Sequence, residues 1–270
     1  MTTEATIGGP SQGASPLFWA VALLGLGIIY APALYLLLAS LNPGQQLGLV
    51  SPRLFSLTWY RALLDDRRLL SALMESAWIG IATALIAAPL GLAAALSYRG
   101  MSRTRNILLL AVLFAMFIPG SIQGLGLSAL LKVVSIKPSW LTVVAGHIVW
   151  ALPFSFVVSL VGLAAIRPVT VAAARDLGAG PIRAFLDITL PLISGSLISS
   201  FLFAFLLSLN EFARAYYLVG RQNTLPLYMF GAMNSGASPT ISAFSGLVLL
   251  GSFAIVGGLL AWPSEVFGKK

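Results

Sequence analysis

Few side chains in this sequence are equipped for chemistry, and their spacing narrows what that chemistry could be. His147 is the single histidine and cysteine is absent. Multi-histidine and thiolate metal sites, disulfides and thiol catalysis are therefore excluded. His147 reads either as a packed, hydrogen-bonded residue or as a proton relay. Eight acidic residues are spread over 270 positions, and paired carboxylates with glycosidase or protease spacing are not evident within the apolar runs. The phosphate-cradling pattern G-x-x-x-x-G-K-[ST] does not occur, so the chain cannot hold a nucleotide by that device. Gly124-Leu125-Gly126 lacks the third glycine of a dinucleotide fingerprint. No catalytic residue, metal or cofactor is expected in this chain.

Three polar residues lie in or at the ends of apolar runs, where charge and hydrogen-bonding capacity are costly and tend to be functional. Asn210 and Glu211 end one run and Gln123 lies within another. Glu211 reads as a functional charge beside an apolar run, or as an interfacial carboxylate paired with Arg214 or water. Gln123 reads as a functional polar group or as a hydrogen bond between helices.

One polar connection has a layout with physical logic. It runs Val169-Thr-Val-Ala-Ala-Ala-Arg-Asp-Leu-Gly178-Ala-Gly-Pro181 and on to Ile188-Thr-Leu190-Pro191. Thr170 is placed to cap a short helix over Val171–Leu177, and Gly178 is the expected left-handed stop. Gly180 and Pro181 restart a helix, proline suiting the first helical position, and Pro191 is expected to open the next apolar run. The short helix would be about 10–12 Å long, with Ala172, Ala173 and Ala174 keeping its flank thin. A thin rod fits deep into a groove of another protein. It equally fits an amphipathic linker resting on a membrane surface.

The elements that must position these residues are apolar. Hydrophobic residues make up 58% of the chain and charged residues 9%, against about 25% charged in an average soluble domain. The bilayer is the expected solvent, and an all-α membrane protein is the expected fold class. Crossing about 30 Å of hydrocarbon takes about 20 helical residues. Six runs qualify: Leu17–Leu41, Ser76–Tyr98, Asn106–Leu131, Trp140–Ile166, Pro191–Leu209 and Ile241–Trp262. The expected organisation is a disordered tail over 1–16, a first transmembrane helix over 17–41, an extracytoplasmic loop over 42–69 with an amphipathic segment Thr58–Leu70, a core over 70–262 holding five further spans, and a tail over 263–270. No basic residue precedes the first apolar run, so it is read as a retained helix rather than a cleaved signal.

The net charge is +8. Its basic residues are scattered between apolar runs, which suits anchoring at a membrane face and not nucleic-acid binding. With the N-terminus inside, the 16 Lys and Arg divide equally between the two faces. The tight connection carrying Arg99, Arg103 and Arg105 is the densest cluster and is read as cytoplasmic.

The connection between the fourth and fifth runs resembles the cytoplasmic loop signature of permease subunits of binding-protein-dependent ABC importers. That signature has E-A-A, three residues, G, and about nine residues later I-x-L-P. Here Ala172-Ala173-Ala174 precede Gly178, and Ile188-Thr189-Leu190-Pro191 follow. The wording around Arg175-Asp176-Leu177-Gly178, with Ser208-Leu209-Asn210-Glu211-Phe212 and Thr224-Leu225-Pro226, is most similar to the spermidine/putrescine-type branch. Ala172 stands at the family's glutamate position, so a contact made by that glutamate does not carry over; Arg175 or Asp176 are left as charged candidates.

The resemblance implies a type I importer fold of six transmembrane helices, with a cytoplasmic coupling helix between the fourth and fifth. Val171, Ala172, Ala173, Ala174, Arg175, Asp176, Gly178, Leu190 and Pro191 would form the ATPase-coupling region, and Gln123, Asn210 and Glu211 a translocation pathway. It further implies a cytoplasmic ATPase dimer that binds ATP and Mg, a second and different permease subunit, and an extracytoplasmic solute-binding protein. The location it implies is the bacterial inner membrane with both termini cytoplasmic, and the solute a polyamine or a related small organic molecule. A self-contained secondary transporter or channel is the alternative, against which the scarcity of buried ionisable residues argues.

Overall fold

A computed structural model describes residues 15–44, 48–49, 51–101, 103–221, 223–236 and 239–261; for 252 and 255–261 only the backbone is described. The tail expected over 263–270 lies outside these residues, as does that over 1–16 apart from its last two positions. Among the described residues the secondary structure is entirely helical. The chain forms two compact units, one of the described residues up to Asp66 with those from Ala232 onward, the other Arg67–Gly231.

The first unit contains α1 (Pro16–Ala39), α2 (Thr58–Asp65) and α12 (Pro239–Ala261). Ser15 caps α1 by accepting from the Phe18 N–H at 3.3 Å. The Ser40 and Tyr60 hydroxyls share a hydrogen bond of 2.7 Å, and Trp59 Nε1 donates to the Asn42 carbonyl at 2.8 Å. These bonds fold the connection after α1 back onto α2. The amphipathic segment expected over Thr58–Leu70 is interrupted: α2 ends at Asp65, and Asp66 takes ψ 89°, outside the helical range.

The second unit is built on α3 (Arg67–Gly100), α6 (Trp140–Ala164) and α9 (Leu190–Leu209). Packing without a hydrophobic drive between helices depends on small residues that let backbones approach. Ala84, Ala87, Ala151 and Ala204 supply that contact as one buried cluster. At Gly91 a Cβ would stand 2.6 Å from the Ser155 carbonyl carbon, so only glycine permits this crossing of α3 and α6. α3 begins at Arg67, well before the Ser76 expected from hydropathy.

Four helical segments are long and apolar enough to cross a membrane: α1, α3, α6 and the continuous stretch Pro181–Leu209. α4 (Arg105–Phe117) and α5 (Gly120–Val133) pass the same test only as a pair, bent by 101°. The single run expected over Asn106–Leu131, with Pro119 inside it, is therefore two helices. Pro119 is the cause: a proline pushes the residue before it out of the helical region, and Ile118 takes ψ 123°.

The fifth run also differs from expectation. Pro191 does not open it; the helix starts ten residues earlier, in α8 (Pro181–Ala184), and passes through a π turn over Phe185–Thr189 into α9. The Leu190 N–H reaches back five residues to the Phe185 carbonyl. This wide turn sits where Pro191 can neither donate nor tolerate a close preceding carbonyl.

Candidate functional site

Two places in the second unit gather the residues singled out by the sequence. The first is α7 (Pro168–Asp176). Its N-cap is Arg167, extended at ψ 130°, with Pro168 in the first turn. Thr170 is therefore inside the helix and does not cap it; proline's fixed φ is already helical and overrides the weaker hydroxyl signal. The helix ends at a left-handed Gly178 with φ +87°. The Ala179 N–H bonds to the Ala174 carbonyl at 3.0 Å and the Gly178 N–H to that of Arg175 at 2.9 Å. This pair of bonds is a Schellman stop, which satisfies carbonyls the helix end would orphan.

Of the α7 side chains only Ala174 is buried; Ala172, Ala173, Arg175 and Asp176 are exposed, and Val171 is half-buried. Val171 packs at the edge of the cluster formed by Leu92, Phe156 and Leu163. One side of α7 is thus held by its own chain. On the other, Val169, Ala173 and Leu177 recur at every fourth residue. Val169 is 66% and Leu177 90% exposed, so the short rod presents an apolar ridge with a small residue at its centre. Beyond the stop, Arg183 and Asp187 pair at 3.7 Å on the surface. Leu190 and Pro191 lie farther along the same continuous helix.

The second place is the turn between α9 and α10 (Ala213–Leu218), where Arg214 meets residues from three segments. Its Nη1 donates to Glu211 Oε2 at 2.9 Å and its backbone N–H to Glu211 Oε1 at 2.9 Å. Nε and Nη2 donate to Gln123 Oε1 on α5 at 2.8 and 2.6 Å. Its guanidinium lies 4.3 Å over the Trp150 ring of α6, a cation–π contact. Both charged residues are buried. Gln123 Nε2 in turn donates to the Ala115 carbonyl on α4 at 2.9 Å, so the amide ties both arms of the bent pair to Arg214. A cavity of about 440 Å³ in the crook of that bend is lined by Gln123, Arg214, Gly146 and Val149 among others.

The structure thus brings Gln123 and Glu211 together on one guanidinium. Asn210 stands apart: it is exposed, and its Nδ2 donates to the Leu206 carbonyl at 2.9 Å. Sequence reasoning paired Glu211 with Arg214 but missed Arg214 as the hub, since nothing local links it to Gln123 or Trp150. His147 is buried and shares a 2.6 Å hydrogen bond with Ser208, whose hydroxyl lies 3.4 Å from that of Thr83. This chain joins α6, α9 and α3. Among the described residues no group of three or more His, Asp or Glu side chains could hold a metal ion.

Residues 87–262 match the family model described as binding-protein-dependent transport system inner membrane component. The putrescine transport system permease protein PotI of Escherichia coli (strain K12) is 33% identical over 257 residues, covering 92% of this chain and 90% of that protein. The spermidine/putrescine transport system permease protein PotC of Haemophilus influenzae is 28% identical over 230 residues, covering 84% and 89%. Among solved structures, a bacterial alginate ABC transporter in complex with an alginate pentasaccharide-bound periplasmic protein contains a chain superposing with a TM-score of 0.66. Identity there is 16%, over 94% of this chain and 96% of that one, so this likeness speaks for the fold.

Proposed function

The chain belongs to the binding-protein-dependent transport system inner membrane components, and on that premise we propose that it forms one transmembrane half of an ATP-driven importer for polyamines or a related small organic solute. The second half is a different permease subunit, and a loaded extracytoplasmic binding protein delivers the solute. A cytoplasmic ATPase dimer, which binds the ATP and Mg, grips α7. The subunit crosses the bacterial inner membrane six times: α1, α3, the bent α4–α5 pair, α6, Pro181–Leu209 and α12. Both termini and α7 lie on the cytoplasmic side.

The observation that supports coupling most directly is the α7 surface. A helix this short is unstable alone in water, and here one face is held by its own chain while the other is left as a thin apolar ridge. With Ala172 in the family's glutamate position, docking rests on Val169, Ala173 and Leu177, with Arg175 and Asp176 at their flank. The ATPases must grip this ridge differently in their open and closed states, since a ligand shifts an equilibrium only by its differential affinity. Pro181–Leu209 is one continuous helix, so displacement at the Gly178 end is carried to Asn210, Glu211 and Arg214. These residues border the solute route: Asn210 by exposure, Gln123 and Glu211 through the guanidinium they share.

Reconstitution tests the reading. Proteoliposomes containing both permeases and the ATPases should take up putrescine from its binding protein only when ATP is supplied on the ATPase side. Uptake driven by an ion gradient without the ATPases would overturn it in favour of a self-contained transporter.

A further inference from the structure

A cationic solute would be expected to seek Glu211, but both carboxylate oxygens already accept hydrogen bonds from Arg214 at 2.9 Å. The pair is buried, with side chains 3% and 9% exposed. Pulling it apart would strand an uncompensated charge in a low-dielectric site. In this conformation, recognition of an ammonium group therefore falls to other groups at that turn and to Phe230 on α11 (Leu225–Asn234), which packs beside it.

Those groups are aromatic. The Phe212 and Phe230 ring centroids are 4.8 Å apart, Phe212 and Tyr216 5.8 Å, and Tyr216 and Phe230 6.5 Å at an interplanar angle of 85°. Tyr217 closes one side, 5.2 Å from Tyr216. The cluster is not sealed: Tyr216 is 54% and Phe230 44% exposed. Among the described residues the Tyr216 hydroxyl has no hydrogen-bond partner, and neither does the amide oxygen of exposed Asn210, which precedes the cluster by two residues. Ring faces attract cations through their quadrupole, alkylammonium groups included. The free hydroxyl and amide oxygens can accept from ammonium N–H groups, which lack any acceptor of their own. The same turn already uses this chemistry internally, where Arg214 covers Trp150.

We propose that the exposed rings of Tyr216 and Phe230, backed by Phe212, form a binding site for an alkylammonium group of the transported solute. The site rests on the reading above for the class of solute but not for its binding chemistry. It assigns cation recognition in this subunit to π faces and leaves Glu211 as the counter-ion of Arg214. A lipid-facing aromatic belt is the competing use of these rings, and leucine discriminates the two: it keeps apolar bulk and removes the quadrupole.

The test uses the complete transporter in lipid nanodiscs without its binding protein, with putrescine as probe and uncharged 1,4-butanediol as control, read by saturation-transfer NMR. Wild type should show transfer to putrescine and none to butanediol, and tetramethylammonium should compete. The double variant Tyr216→Leu, Phe230→Leu should weaken putrescine binding about three- to tenfold, as expected for losing cation–π contacts, while Tyr216→Phe with Phe230→Tyr should retain it. Wild-type affinity in the leucine variant, equal binding of butanediol, or no competition by tetramethylammonium would each overturn the site; the last two need no variant to fold. Ammonium binding without ATP-driven putrescine uptake would refute the proposed solute and leave the site standing. Wild-type putrescine affinity in the leucine variant, with ATP-driven putrescine uptake intact, would do the reverse.

Discussion

Arg214 Nη1 lies 2.9 Å from Glu211 Oε2, and both side chains are buried. The same guanidinium reaches Gln123 on a separate helix at 2.6 Å. The ion pair is therefore a fastening between the end of α9 and the bent α4–α5 pair, not a surface contact. Removing one partner of a buried pair costs about 3–5 kcal/mol, because the other charge is stranded. Glu211→Gln alone should lower the unfolding temperature of the detergent-solubilised protein markedly. Glu211→Gln with Arg214→Met should recover much of the loss. An unchanged melting temperature in the single variant would show that the pair holds nothing.

Glycine at 120 and 124 makes room for this fastening. A Cβ at Gly120 would lie 2.8 Å from Arg214 Nη1, and one at Gly124 3.0 Å from both Arg214 Cα and Tyr217 Cδ2. Gly124→Val should destabilise by about 1–3 kcal/mol through overpacking, because backbone blocks its Cβ. Gly120→Ala should be milder, since a side-chain tip can move. Comparative thermal unfolding of the two variants checks the order.

Gly178 holds φ +87° in open space. The penalty for replacing it is conformational and not steric contact, so a β-branched residue is resisted and asparagine tolerated. Gly178→Val should abolish ATP-coupled uptake while leaving the amount of folded protein in the membrane nearly unchanged, and Gly178→Asn should retain activity. Wild-type uptake by the valine variant would remove the left-handed stop from the coupling mechanism.

Pro119 sets the 101° bend between α4 and α5. Spin labels at Ile107 and Leu130, both exposed, report it by electron–electron distance. In a straight helix the two positions would stand about 34 Å apart; the bend brings them closer. Pro119→Ala should lengthen the distance toward that value, to the extent that Gln123 and Arg214 do not hold the bend themselves. A distance unchanged in Pro119→Ala and lengthened in Pro119→Ala, Gln123→Leu would transfer the cause of the bend to the hydrogen bonds.

The apolar runs, the loop between α6 and α9 and its glycine stop were legible in the amino-acid order, because hydropathy, proline and glycine act within a few residues of themselves. The same locality explains the misplaced details. Thr170 has the hydroxyl of a cap, yet Pro168, two residues earlier, starts α7. The apolar run begins at Pro191, which places a helix start there; the π turn before it lets the helix run through instead. The run Asn106–Leu131 is defined by hydropathy, which is blind to the extended Ile118 that Pro119 imposes. The meeting of Gln123, Trp150, Glu211 and Arg214 had no trace in the order of residues. It joins positions as many as 91 apart, and such contacts exist only once α5, α6 and α10 have packed. Whether a polar residue in an apolar run is free to meet a solute or already bound to its own protein is settled by which neighbours arrive first, and that is a property of the folded packing alone.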